Sequence, residues 1–248
     1  MDQIDFRLLI GALAVLLAGA TKGITGIGLP VVATPILAVL YDLPTAIAVA
    51  ILPTALSDMP ILYTYRSEWR QALRFIPMIV AGMAGILIGT QILLRVNQEL
   101  LKAALGLGVL LFVVISWFNL LPRLSDRFAT RWGAVVGLLA GILQGATGTS
   151  APVITVFFYQ LHLPRAAFLF LINIFFVMLD TIQVGSLIWV GVYTPKLLLL
   201  AFAAAALVGP MVFLTLRLQK RINEPLFRRI VLLVLALSGL VLLSRIGS

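Results

Sequence analysis

The chain has no cysteine and a single histidine, His162, in 248 residues. Disulfides, thiol catalysis and thiolate metal sites are excluded, and so is a His-rich metal cluster. Charge is nearly as scarce. Asp, Glu, Lys and Arg make up 11% of the residues, against about 25% in an ordinary soluble domain. The first residues, Met1-Asp2-Gln3-Ile4-Asp5, lack the positive n-region of a signal peptide, and no small-residue cleavage site follows. The first segment therefore reads as part of the mature protein. No nucleophile–His–acid set and no HExxH motif occurs. Catalytic residues, metal and cofactor are not expected, and the chain does not read as an enzyme.

What is present is apolar: 62% of residues are hydrophobic and the mean hydropathy is +1.14. The solvent is lipid rather than water. Eighteen Lys+Arg against nine Asp+Glu leave a net charge of +9. In a soluble protein that excess suggests nucleic acid. Here it raises the question of which membrane side the positive residues occupy, and no nucleic-acid partner is expected.

Six apolar segments have spanning or near-spanning length: 45–62, 75–94, 103–121, 166–187, 197–216 and the shorter 230–245. Four others, 8–20, 29–41, 132–143 and 151–161, have 11 to 13 residues each, where a simple span needs about 20. They form two pairs, 8–41 and 132–161. Each pair is interrupted by a Gly/Thr-rich break, at 21–28 and 144–150. Tyr63, Tyr65, Trp69, Trp117, Trp132, Trp189 and Tyr193 stand near segment ends, as an interfacial aromatic belt does.

The breaks align at an offset of 122. Gly11, Gly19, Lys22, Gly23, Thr25, Gly26, Pro30 and Val31 match Gly133, Gly141, Gln144, Gly145, Thr147, Gly148, Pro152 and Val153. Asp58 matches Asp180 at the same offset. The ordered set indicates two repeats, 1–122 and 123–248. Repeats with broken segments recur in secondary transporters.

Charge decides how the repeats are related. If each pair crossed the membrane once, the repeats would be parallel and the positive residues would divide almost evenly. If each pair enters and leaves on one side, the second repeat is inverted. Arg66, Arg70, Arg74, Arg123, Arg127, Arg131, Arg165, Arg217, Lys220, Arg221, Arg228 and Arg229 then share one face. Only Arg7, Arg95, Lys102, Lys196 and Arg245 fall opposite. The positive-inside rule selects the second arrangement and puts both termini outside. The expected fold is an all-α polytopic membrane protein with two inverted-topology repeats. Each repeat is a broken or re-entrant helix pair followed by three transmembrane helices.

Unwound backbone cannot face lipid, so both breaks must face protein or a water-filled cavity. Pro30 and Pro152 mark helix starts after them. Free N–H groups and positive dipole ends then point into the breaks. The expected substrate-binding set is Thr21, Lys22, Gly23, Thr25, Gly26, Gly28, Gln144, Gly145, Thr147, Gly148, Thr149 and Ser150, near the membrane midplane. It reads as an anion site. Asp58 and Asp180 are the only acids well inside apolar segments. Each is either a proton carrier or a structural carboxyl, for example one pairing with Lys22. Asn173 and Gln183 read as helix–helix hydrogen-bonding residues. The ladder Gly133, Gly137, Gly141, Gly145 and the pair Gly85, Gly89 are small-residue packing faces. They serve internal packing or a homodimer interface, and both remain open.

The stretch Gly19-Ala20-Thr21-Lys22-Gly23-Ile24-Thr25-Gly26-Ile27-Gly28-Leu29-Pro30, with Val31-Val32-Ala33-Thr34-Pro35-Ile36-Leu37 after it, resembles the first-repeat signature of the TauE/SafE family of membrane permeases. Residues 141–152 are similar to that family's second signature. The Leu-Pro-x-Ala following each pair fits as well. Many members run a glycine triplet in the first break, where this chain has Gly28-Leu29-Pro30, and Thr149-Ser150 replaces further glycine in the second. The resemblance implies a multi-pass transporter of the bacterial inner membrane for sulfur-containing anions such as sulfite or organosulfonates, generally exporting. A passive anion channel or a membrane scaffold without transport activity are the alternatives.

Overall fold

The computed structural model describes residues 3–26, 28–118, 125–218 and 224–244. The expected repeat boundary at 122/123 and both chain ends lie outside the described residues. So do Arg123, Lys220, Arg221 and Arg245 of the charge count.

Every regular element among the described residues is helical. In chain order they are α1 (Gln3–Thr25), α2 (Leu29–Leu40), α3 (Leu43–Thr64), α4 (Trp69–Leu73), α5 (Ile76–Arg95), α6 (Gln98–Phe118), α7 (Asp126–Thr147), α8 (Ala151–Tyr159), α9 (Arg165–Trp189), α10 (Pro195–Leu218) and α11 (Glu224–Ser244). Among the described residues, six are long and apolar enough to cross a membrane: α1, α3, α5, α6, α9 and α10. Large apolar side chains such as Leu13, Leu87, Leu111, Leu199 and Phe213 stand exposed on them, which suits lipid and not water.

The broken pairs differ from the sequence expectation in one respect. Each consists of a long helix and a short one, not two short ones. α1 has 23 residues and α7 has 22, so each rises about 33 Å. α2 has 12 and α8 has 9. Thr21–Thr25 and Gln144–Thr147, expected to be unwound, belong to the last turns of α1 and α7. The reason is local. Thr21 Oγ1 donates to Leu17 O at 2.8 Å, Thr25 Oγ1 to Thr21 O at 2.8 Å and Thr147 Oγ1 to Leu143 O at 2.7 Å. Each hydroxyl satisfies itself on a carbonyl four residues back, so these polar residues extend the helix.

The helices stop where glycine permits it. Gly26 and Gly148, equivalent in the two repeats, have φ of 78° and 82°. Their N–H groups donate to Lys22 O and Gln144 O, each at 2.7 Å. This is the left-handed C-terminal cap that glycine adopts without a Cβ penalty. α2 and α8 then start with a proline in their first turn.

α2 folds back along α1: a Cβ on Gly11 would meet Leu37 at 3.6 Å and the Tyr41 hydroxyl at 3.8 Å. Lys102 of α6 donates to Tyr41 O at 2.8 Å and holds the far end of α2. Asp42 then caps α3, accepting from Thr45 N at 3.0 Å.

The small-residue faces are used inside the chain. A Cβ on Gly141 would strike the backbone of Gly82, and one on Gly89 would strike Ile142 O and Gly145. α5 and α7 therefore touch backbone to backbone, as small-xxx-small faces allow. Buried apolar residues of α2, α3 and α9, among them Leu37, Ile47, Ile51, Ile172 and Phe175, form the core between the pairs.

Of the expected belt, Tyr63, Trp69, Trp117, Trp132 and Trp189 are exposed. Tyr193 is not part of it. Its hydroxyl turns inward and donates to Ala48 O at 2.8 Å. Burial holds that hydroxyl well above its ordinary pKa, so it stays a donor.

Candidate functional site

Lys22 sits in the last turn of α1 and is 1% exposed. A buried ammonium needs a partner, and it has one. Lys22 Nζ is ion-paired with Asp58 Oδ1 of α3, and Asp58 is fully buried. Of the two roles open to Asp58 in the sequence, partnership with Lys22 is the one the geometry displays.

The second repeat holds the same geometry with different chemistry. Gln144 Nε2 donates to Asp180 Oδ1 at 2.7 Å. Both pairs join residues 36 positions apart, and each member lies 122 positions from its counterpart. Ser150 Oγ donates to Gln144 Oε1, which fixes the amide with its nitrogen toward Asp180. The helices that carry the two carboxyls, α3 and α9, pack against one another.

The contacts between the repeats are reciprocal. A Cβ on Gly26 would strike Leu169 of α9, and a Cβ on Gly148 would strike Ile47 of α3. Leu169 is Ile47 advanced by 122. Asn173 Nδ2 donates to Gly26 O at 3.2 Å, and Gln183 Nε2 donates to Gln144 O at 3.1 Å. Both are the helix–helix bonds expected of these residues, and both lie at the site. Sequence reasoning left them out because neither recurs in the first repeat, where Ile51 and Ile61 occupy the equivalent positions.

Break one packs against Leu169, near the start of α9, and break two against Ile47, near the start of α3. Lys22, one turn before break one, pairs with Asp58, eleven residues beyond Ile47 (58 − 47). That is about 16 Å along α3. Lys22, Asp58, Gln144, Asp180, Asn173 and Gln183 are all buried.

Other expected site residues divide in three ways. Gly28 (φ 104°) and Ser150 precede the first turns of α2 and α8, and Thr149 is buried beside them. The hydroxyls of Thr21, Thr25 and Thr147 are engaged with their own helices. Gly23 and Gly145 are packing positions: a Cβ on Gly23 would meet Thr215 and Val212 of α10, and one on Gly145 would meet Ile86 and Gly89 of α5. No group of three or more metal-ligating His, Cys, Asp or Glu side chains occurs among the described residues.

Spanning helices around a buried charged cluster define a polytopic membrane transporter. The sulfite exporter TauE/SafE family model matches residues 11–242, nearly the whole chain, and the protein belongs to that family. Its members are transporters and not enzymes. Neither the curated proteins nor the solved structures show a significant match.

Proposed function

We propose that the chain is a secondary transporter exporting a small sulfur-containing anion, sulfite or an organosulfonate, across the bacterial inner membrane. The anion is held by Lys22, Gln144, Ser150, Thr149 and the N–H groups that open α2 and α8. Movement is coupled to protons. The two repeats, 1–122 and 123–248, are inverted, with both termini outside.

The observation that carries the reading is Lys22. It is the one buried cation among the described residues, within a turn of a glycine-capped helix end, in a family of sulfite exporters. Its pairing with Asp58 neutralises it at rest. An arriving anion competes with Asp58 for the ammonium, so binding energy goes into opening a pre-formed pair. A net negative load is pushed outward by an inside-negative potential, by about 2.3 kcal/mol per charge per 100 mV.

Inversion is supported by the contacts. The start of α3 lies by break two and its later part by Lys22, next to break one. The start of α9 lies by break one and its later part by Gln144, next to break two. The equivalent helices α3 and α9 therefore run antiparallel, which a two-fold axis in the membrane plane produces.

Thermal stabilisation of the purified protein tests the substrate class. Sulfite, sulfate, thiosulfate, taurine and sulfoacetate are compared with carboxylate controls, because a ligand that binds only the folded state raises Tm. Stabilisation by sulfite or a sulfonate, absent in Lys22→Gln, is the expected result. Equal response to carboxylates, or none in any case, contradicts the reading.

A further inference from the structure

We propose that the proton this transporter carries resides on Asp180, shared with Gln183, while Asp58 remains the partner of Lys22. The assignment rests on the transport reading for its purpose, but the proton is detectable without transport.

The two carboxyls are equivalent by repeat and unequal by chemistry. Asp58 faces an ammonium, and Asp180 faces an amide. Lys22, Asp58 and Asp180, if all ionised, sum to one uncompensated negative charge in a buried cluster. A buried charge without a counter-charge is costly and is relieved by neutralisation. The counter-charge is missing at Asp180.

Two orphaned atoms indicate where the proton goes. Asp180 Oδ2 and Gln183 Oε1 are buried oxygens without a hydrogen-bond partner. Both residues lie on α9, three positions apart, and so on one face of the helix. Both are also tied to Gln144, Asp180 through the amide nitrogen and Gln183 through the backbone carbonyl. As a carboxylate, Asp180 only accepts, and two acceptors cannot satisfy each other. A proton on Oδ2 turns it into a donor, and Gln183 Oε1, three residues on along the same helix face, is the unpartnered acceptor it would bond. One proton then satisfies both atoms and removes the surplus charge. Asp58 Oδ2 is unpartnered as well, but the charge of Asp58 is already matched by Lys22.

Gln144 of α7 bonds Asp180, and Lys22 of α1, Asp58 of α3 and Tyr193 after α9 are the titratable groups within electrostatic reach of it. The other ionisable residues on elements packed against α9 lie elsewhere. Arg95 ends α5, Tyr159 ends α8, and Arg66, Glu68 and Arg70 occupy the turn and α4 after α3. The site is linked to break two through Ser150 and Gln144. An anion that takes the Ser150 hydroxyl therefore loosens the amide that positions Asp180. The proton enters from water on one side and leaves to water on the other.

Infrared difference spectroscopy of the purified full-length protein against pH reads the proton directly. The C=O stretch of an un-ionised carboxylic acid is expected near neutral pH and absent in Asp180→Asn; in Asp58→Asn, where the freed Lys22 charge balances Asp180, its pH midpoint falls. In Gln183→Leu, loss of the acceptor lowers the pH midpoint of this band by about one unit. That variant carries the test if Asp180→Asn does not fold. A band that persists in Asp180→Asn, or a midpoint unmoved in Gln183→Leu, overturns the proposal. So does a sodium requirement with no such band near neutral pH. Absence of methanesulfonate counterflow in wild-type proteoliposomes would reject the transport reading and leave this proton site standing.

Discussion

Asp58 of α3 holds the Lys22 ammonium of α1 in a buried ion pair, and the amide–carboxyl bond from Gln144 to Asp180 repeats that geometry 122 residues later. A duplicated frame thus carries one charge-balanced pair and one pair lacking a positive charge. The proposed proton site is the pair that lacks the positive charge.

Making the two pairs chemically alike should erase the difference between them. Gln144→Lys supplies the missing charge at Asp180 and should abolish pH-gradient-driven flux. Lys22→Gln turns the first pair into a copy of the second and should add a second carboxylic-acid band in the infrared. Flux at imposed pH gradients and the spectra of both variants check this.

The ion pair should register as energetic coupling. Removing one partner of a buried pair costs about 3–5 kcal/mol, because the other charge is left unmatched. Lys22→Gln and Asp58→Asn should each lower Tm, and the double variant should lose less than the sum of the two. A double-mutant cycle measures this. Strict additivity would mean that the pair does not form.

Glycine contacts should sort by what surrounds them. Gly141→Val and Gly85→Val drive side chains into the backbone of the facing helix, costing about 1–3 kcal/mol or more. Gly108→Ala faces open space and should behave as wild type. Gly26→Ala adds about 1–2 kcal/mol of left-handed backbone strain to its clash with Leu169, so Leu169→Ala should restore only part of the loss. Detergent-solubilised yield and Tm give the ranking.

Sidedness is checked at the C-terminus. A fusion to a reporter active only outside the cytoplasm should be active, and one fluorescent only in the cytoplasm should be dark. The reverse pattern would refute the inverted arrangement.

Much of this was legible in the sequence because lipid imposes simple rules. Apolar length marked five of the six spanning helices, α3, α5, α6, α9 and α10, but split α1 at Lys22 and counted 230–245 as a span where the described apolar stretch, 229–244, is shorter; the recurrence of Pro30, Asp58 and their counterparts suggests the repeat. The breaks were drawn too long because Thr21, Lys22 and Thr25 are polar. Polarity in an apolar stretch suggests unwinding, yet threonine hydroxyls bond back to the helix and Asp58 pairs with the lysine. Both effects depend on groups that a hydropathy pattern does not resolve. The place of Gln183 and Asn173 was hidden for another reason. Neither has a polar equivalent in the first repeat, so the symmetry that exposed the other residues passed over these.

Methanesulfonate counterflow in proteoliposomes, wild type against Lys22→Gln and Lys22→Arg, tests most directly that Lys22 holds the transported anion. Wild-type uptake should saturate and rise transiently above equilibrium when unlabelled substrate is trapped inside. Lys22→Gln should weaken apparent affinity by about 10- to 100-fold, the loss of one charge-assisted bond, with Lys22→Arg retaining part of it. Counterflow unchanged in Lys22→Gln would remove the lysine from the binding site, and uptake without saturation or counterflow would make the protein a channel.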